Sequence, residues 1–213
     1  SGLTYGFMGT DPVHKLYDAV NPADRNISNA EMVTRLGRLP LRFHPGTTWE
    51  YSMSTDVLAR LVEVASGQDF DAFIAERITG PLGMIDTGFW VEVPQQHRIA
   101  EPQIDPATGK RPPVADLTAK PARLGGGGAL ASTSADYLRF CRMFLNGGEL
   151  DGHRYISRKT LEWMTADHMH AGITVSPAAR ERIKSMAPGA PTGQGFGLGF
   201  GVRLVAGMSV LPG

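Results

Sequence analysis

The 213 residues carry 21 Lys and Arg against 21 Asp and Glu, so the formal net charge is zero. This balance excludes both a basic surface for nucleic acid and a strongly acidic tail. The length suits one large domain or two small ones, and no run of the sequence reaches the roughly 20 apolar residues that span a bilayer. We therefore expect no nucleic-acid or membrane partner and a cytoplasmic location.

The first clear element in chain order is a short helix within a loop-rich N-terminal part. Ser28 is a typical N-cap residue, and Glu31 follows it at the spacing of a capping box. Met32, Val33 and Leu36 then form one apolar face. The pattern predicts a helix from Ser28 to Leu36.

Tyr51 lies between a Pro-Gly turn at residues 45–46 and the predicted start of the next helix. Residues 54–56 offer N-cap side chains, and Gly67 ends the helix. The apolar stripe between them consists of Val57, Leu58, Leu61, Val62 and Ala65. A tyrosine held by a turn and a helix start has few conformations, which is how a catalytic group is kept aimed. This local pattern alone favours the alternative, a core tyrosine with a satisfied hydroxyl.

A further short helix is predicted at residues 69–77. Six prolines then fall within residues 91–123, which excludes a long helix there and indicates an irregular segment with at most short edge strands.

The C-terminal third contains the remaining predicted elements. Periodicity predicts a helix from Ser134 to Leu145. The lone Cys141 excludes an intrachain disulfide and falls on the apolar face of this helix, where it is expected to be a buried small hydrophobe. Ser157 caps another short helix, and residues 195–205 alternate as a strand does.

The residues around Tyr51 resemble the second motif of the superfamily of serine β-lactamases, penicillin-binding proteins and family VIII carboxylesterases. The match consists of Pro45-Gly46-Thr47 followed by Trp49-x-Tyr51-Ser52. Other segments resemble the family's "HTSGLT", "ERIFxPLGMxxTGF", "GGGGLxSTxxDYxRF", "LLNGG" and "GFGLGF" stretches, at residues 1–4, 76–89, 125–137, 144–148 and 195–200. The resemblance implies an α/β sandwich of an antiparallel sheet with helices, of which this chain supplies mostly the helical region and the start of the C-terminal sheet portion.

Two motifs of this family are absent from the 213 residues. The nucleophile of the family is the serine of Ser-x-x-Lys, and the sequence contains no such tetrapeptide; at Ser157-Arg158-Lys159 the spacing is too short. The third motif, expected after the "GFGLGF" stretch, is also missing. We therefore interpret residues 1–213 as the central part of one domain, with a helical and loop region at 1–123 and helices leading into a sheet strand at 124–213.

Two further motifs could bind a phosphate or a metal. Residues 125–128 are four glycines, but no Lys-Ser/Thr follows them, and the resemblance favours a flexible turn before a capped helix. His168 and His170 lack a third ligand at useful spacing, which favours a solvated loop. We expect neither a metal nor a cofactor.

The resemblance also implies a mechanism. A serine hydroxyl is a poor nucleophile until its proton is removed, and in the superfamily the Ser-x-x-Lys lysine and the motif-two tyrosine share that task. Tyr51 is thus the expected general base and acid of an acyl-enzyme mechanism.

Met53 occupies the position where β-lactamases and peptidases of the superfamily usually carry Asn. A thioether is only a weak acceptor, so it cannot hold an acylamino group as an amide does. We therefore expect Met53 to line an apolar substrate site, and the substrate to be a small carboxylic ester. The alternatives are a β-lactamase, D-alanyl peptidase or amidase, and a non-catalytic homologue that uses the same cleft for binding.

Overall fold

The structure, a computed structural model, describes residues 1–169, 172–177 and 194–204. Its α-helices are α1 (Pro12–Val20), α2 (Asn29–Leu36), α3 (Ser54–Ser66), α4 (Phe70–Ile74), α5 (Ser134–Leu145) and α6 (Arg158–Met164). Two 3₁₀ helices (Gly6–Met8 and Val93–Arg98) and a π-helix (Ala75–Thr79) accompany them. The strands are β1 (Thr48–Trp49), β2 (Glu149–Leu150), β3 (His153–Arg154), β4 (Thr174–Val175), β5 (Gln194–Phe196) and β6 (Gly201–Arg203).

Side-chain caps start three helices where the sequence predicts them. Each capping hydroxyl accepts a hydrogen bond from the backbone N–H three residues later: Ser28 at 3.1 Å, Thr133 at 3.3 Å and Ser157 at 3.0 Å. These bonds satisfy donors that the helix itself leaves without partners. The predictions of α2, α5 and α6 are therefore confirmed.

Helix α3 ends as predicted but starts earlier. Gly67 terminates it with φ +72°, in the left-handed region that glycine adopts without steric cost. At the other end the helix begins at Ser54, with Met53 at the N-cap position and no side-chain cap. The prediction that residues 54–56 cap this helix is wrong, because they form its first turn.

The apolar stripe predicted for α3 is not its buried face. Leu58 and Leu61 are 54% and 58% exposed, whereas Asp56 and Ala59 are buried. On α5, Cys141 is only half-buried, so its predicted full burial is wrong as well. Helical periodicity thus predicts that both helices exist. Which face of each helix is buried depends on the elements that pack against it.

Strand pairing in the described ranges is limited to two-stranded sheets. β1 pairs in parallel with β4, and β2 with β3 and β5 with β6 are antiparallel. The single strand predicted at 195–205 is wrong: the chain reverses after β5, where the Gly197 N–H donates to the Phe200 carbonyl at 2.7 Å. Val205 lies outside the described residues.

Two hydrophobic clusters hold the elements together. The first contains Tyr17, Met32, Leu36 and Met53, and the second contains Leu82, Met84, Met143 and Leu150. The first cluster joins α1 and α2 to the start of α3. The second fixes α5 against the segment that follows the π-helix.

Residues 91–123 are irregular, as predicted, with the 3₁₀ helix Val93–Arg98 as their regular element in the structure. Among the described residues, no helix combines the length and the apolar character needed to cross a bilayer.

Candidate active site

Tyr51 follows a tight turn and strand β1. The turn closes through hydrogen bonds from the backbone and hydroxyl of Thr47 to the His44 carbonyl, at 3.2 and 2.8 Å. Gly46 adopts φ +83° within it, a conformation that explains the glycine. Helix α3 begins three residues after Tyr51. The predicted placement of Tyr51 between a turn and a helix is therefore confirmed.

The Tyr51 side chain is 40% exposed, so it is not the core tyrosine of the alternative interpretation. Its ring packs on the ring of Tyr5, with centroids 5.4 Å apart. Tyr5 is itself stacked on Phe7 at 4.8 Å. Within the ranges that the structure describes, no hydrogen bond engages the Tyr51 hydroxyl, which leaves it available to another group.

Asp56 lies on the first turn of α3 and is only 3% exposed. Its carboxylate accepts hydrogen bonds from the Tyr5 hydroxyl at 3.0 Å and from Arg123 Nη1 at 2.8 Å. The Gly127 N–H adds a longer contact of 3.4 Å. Asp56 therefore ties helix α3 to two distant segments of the chain.

Tyr5 remains a neutral hydrogen-bond donor in this arrangement. Burial raises the pKa of its hydroxyl well above the ordinary value of 10.0, and the Asp56 carboxylate raises that pKa further. A phenol that keeps its proton can hold Asp56 and support Tyr51, but it cannot serve as a base near neutral pH.

The four glycines at 125–128 pack against the first turn of α3. A Cβ atom on Gly126 would lie 2.2 Å from the Thr55 carbonyl oxygen, and one on Gly127 would lie 2.8 Å from Asp56 Oδ2. Contacts below 3.0 Å are not tolerated without displacement, so glycine is needed here for close approach. The interpretation as only a flexible turn is therefore incomplete.

A small polar cavity lies between these glycines and Tyr5. Its volume is about 140 Å³, and its lining comprises Tyr5, Arg25, Asp56, Arg123, Gly125, Gly127, Gly128 and Ala129. A larger cavity of about 580 Å³ lies elsewhere, around Phe89, Trp90 and Leu130, and touches neither Tyr51 nor Tyr5. Tyr51 does not line the smaller cavity either, but Tyr5 does, and the Tyr5 ring contacts the Tyr51 ring. We therefore place the candidate site at the smaller cavity.

Glu50 anchors the backbone immediately before Tyr51, and sequence analysis missed it. Its side chain is 2% exposed and accepts a hydrogen bond from the Thr4 hydroxyl. His14 Nε2 lies 3.4 Å from the same oxygen, and His14 Nδ1 lies 3.1 Å from Asp11. Successive side chains of an extended segment point to opposite faces, so residue 50 faces inward when residue 51 faces outward. This alternation is the sequence signal that could have identified Glu50.

Met53, predicted to line an apolar substrate site, packs in the interior of the described structure. Its side chain is fully buried in the first hydrophobic cluster with Tyr17, Met32 and Leu36. The thioether faces the α1–α2 side because the chain enters α3 at this residue. Met53 therefore packs under the helix and does not line the cavity.

The described residues contain no group of three or more His, Cys, Asp or Glu side chains that could hold a metal ion. His168 Nε2 lies 2.7 Å from the Trp163 carbonyl oxygen, and its side chain is exposed. His170 lies outside the described residues.

Comparison with known proteins identifies the family. The Beta-lactamase family model matches residues 1–210. The chain belongs to the beta-lactamase family. Its expected α/β fold, with mixed helices and sheets, is confirmed by this match and by the solved structures that it resembles.

Two sequence relatives cover almost the whole chain. An uncharacterized protein of Mycobacterium tuberculosis is 34% identical over 207 residues, covering 95% of this chain and 49% of the relative. Esterase EstB of Burkholderia gladioli is 31% identical over 207 residues, covering 94% of this chain and 50% of EstB. The chain thus spans about half the length of the curated relatives it matches.

A solved structure with the same fold is simvastatin synthase (LovD) from Aspergillus terreus. It superposes with a TM-score of 0.68 at 22% identity, covering 97% of this chain and 51% of LovD. At that identity the likeness concerns the fold alone.

Proposed function

We propose that the protein carrying this chain is a serine hydrolase that cleaves small carboxylic esters through an acyl-enzyme, with Tyr51 as general base and acid. The observation that carries this proposal is the 40% exposed Tyr51 ring, backed by Tyr5 and without a hydrogen bond to its hydroxyl among the described residues. The similarity to a relative named as an esterase supports ester substrates.

The chemistry requires a serine from outside these 213 residues, since they contain no Ser-x-x-Lys. Tyr51 takes the serine proton as the serine oxygen bonds to the ester carbonyl carbon. As the C–O bond to the alcohol breaks, Tyr51 returns that proton to the leaving oxygen. Water then hydrolyses the acyl-enzyme and restores the serine.

Tyr51 needs a neighbouring cation for this role, because a free phenol has a pKa near 10. Arg123, which lines the small cavity, is already paired with Asp56 at 2.8 Å. The proposal therefore assigns the activating charge to the lysine of the absent motif. It also keeps residues 1–213 as the central part of one domain.

The preference for esters no longer depends on a contact with Met53, which is buried. It depends on the similarity to a relative named as an esterase. Turnover of β-lactams or D-alanyl peptides is the alternative outcome.

The test is Tyr51→Phe in the protein that carries this chain, because this change keeps the ring and removes the proton carrier. We expect the acylation rate with a short-chain aryl ester to fall at least about a hundredfold. Tyr137→Phe is the matched control, since Tyr137 is 60% exposed on α5 and its ring packs on Phe140 rather than on Tyr5.

A parallel assay with a cephalosporin separates the candidate activities. Faster turnover of the cephalosporin than of the ester would favour the β-lactamase alternative. Near-normal ester hydrolysis by a folded Tyr51→Phe would show that Tyr51 is not the catalytic residue. No turnover of either substrate by the unaltered protein would support a binding homologue.

A further inference from the structure

Two arginines reach the small cavity beside Tyr5 from neighbouring segments of the chain. The Arg123 N–H donates to the Arg25 carbonyl at 3.1 Å, so the two residues lie side by side along paired backbone. Both side chains line the cavity. The segments are almost 100 residues apart in the sequence, and no sequence motif points to this pairing.

The two guanidinium groups differ in how their charges are compensated. Arg123 and Asp56 are buried together, with side-chain exposures of 14% and 5%. Arg25 donates to the backbone carbonyl of Asp116 at 3.1 Å. In the part of the chain that the structure describes, no carboxylate lies within ion-pair distance of Arg25.

Asp116, whose backbone carbonyl accepts the hydrogen bond from Arg25, also has its carboxylate within electrostatic reach of this guanidinium. The carboxylate of Asp116 accepts hydrogen bonds from the N–H and hydroxyl of Thr118 at 2.8 and 2.6 Å. Arg25 helps to lower the pKa of Asp116, although the hydrogen bonds from Thr118 lower it more. The Asp116 carboxylate is thus stabilised by hydrogen bonds within its own turn. The Arg25 guanidinium, which lines the cavity, keeps N–H donors that can bind another group.

We propose that this cavity is an anion subsite that binds a carboxylate on the substrate, with Arg25 as the residue that recognises it. This inference rests on the proposed function and narrows its substrate class to esters that carry a second, ionised carboxyl group. A guanidinium matches a carboxylate in geometry as well as in charge. The Asp56–Arg123 pair forms the fixed floor on which such a group sits.

The position of the cavity relates it to the reaction. Tyr5 lines the cavity, and its ring also contacts the ring of Tyr51, with centroids 5.4 Å apart. A substrate with a short chain between its ester and its carboxylate could therefore reach both. The volume of about 140 Å³ accommodates a carboxylate and a few methylene groups but not a large acyl chain.

The test compares two aryl esters of similar length, a phenyl butyrate and a monophenyl succinate, in the protein that carries this chain. Arg25→Ala should lower the ratio of kcat/KM for the succinate to that for the butyrate by about tenfold, the loss of one charge-assisted hydrogen bond. Arg25→Gln, which removes the charge but keeps a shorter polar side chain, should also lower the ratio. The control Arg35→Ala alters an α2 arginine paired with Glu31 and should leave the ratio unchanged.

A binding measurement keeps this inference separate from the proposed function. Calorimetric titration with succinate and with butyrate requires no turnover, so it remains decisive even if neither ester is hydrolysed. We expect tighter binding of succinate, weakened by added salt and by Arg25→Ala but not by Arg35→Ala. Equal affinities for the two acids, or an unchanged ratio in both Arg25 variants, would overturn the subsite.

Discussion

The ring of Tyr51 packs on the ring of Tyr5, with centroids 5.4 Å apart and planes inclined by 38°. Tyr5 is in turn fixed by its hydrogen bond to Asp56 on helix α3. The orientation of an exposed tyrosine is thus set by a buried carboxylate that it does not touch. This relationship links the stability of the region to the proposed chemistry.

Tyr5 is expected to act as a positioning residue for Tyr51. Tyr5→Phe keeps the ring contact but leaves Asp56 without one donor, whereas Tyr5→Ala removes the ring as well. We expect Tyr5→Ala to lower kcat for ester hydrolysis about tenfold more than Tyr5→Phe, because a small misplacement of a catalytic group is costly. Steady-state kinetics on folded variants check this order, and equal kcat values would contradict it.

Stability at alkaline pH provides a separate test of the Tyr5–Asp56 pair. Because the pKa of Tyr5 is raised in the folded state, its contribution is fully present below the ordinary pKa of 10.0 and is lost as the pH rises above it. In that range the unfolded chain releases the proton while the folded chain retains it. Urea denaturation from about pH 8 to pH 11 should show a steeper loss of stability for the unaltered protein than for Tyr5→Phe. Parallel curves would exclude a perturbed Tyr5.

Met53→Asn should destabilise the fold rather than retune the substrate preference. The change places an amide without partners among Tyr17, Met32 and Leu36. We expect the free energy of unfolding to fall by about 1–3 kcal/mol or more, because a buried polar group loses its hydration. Leu58→Asn is the matched control on the same helix, where the side chain is 54% exposed and the effect should be small. A stable Met53→Asn with an altered ester to β-lactam preference would instead support the predicted substrate contact.

Gly126→Ala should disrupt the packing of the glycine segment on helix α3. The new Cβ would lie 2.2 Å from the Thr55 carbonyl oxygen, and backbone must shift to relieve the clash. We expect a loss of about 1–3 kcal/mol in the free energy of unfolding, together with weaker ester turnover. Gly37→Ala, at φ −63° with its nearest contact at 3.4 Å, is the control that should be tolerated. Equal melting temperatures for the two variants would contradict the close approach.

What the sequence alone determined about this protein is local. Ser28, Thr133 and Ser157 start their helices through hydrogen bonds that span three residues, and Gly67 ends α3 through its own backbone conformation. Such signals act within one turn, so they can be read without knowledge of the fold. The turn before Tyr51 is of the same kind.

Only the tertiary structure decided which side chains meet. Tyr51 is exposed and Met53 buried although they are two residues apart, because the chain leaves an extended segment and enters a helix between them. Asp56 gains Arg123 and Tyr5 from segments 67 and 51 residues away. Burial and ion pairing depend on which surfaces pack together, and that choice is made by the free energy of the whole fold rather than by any local pattern.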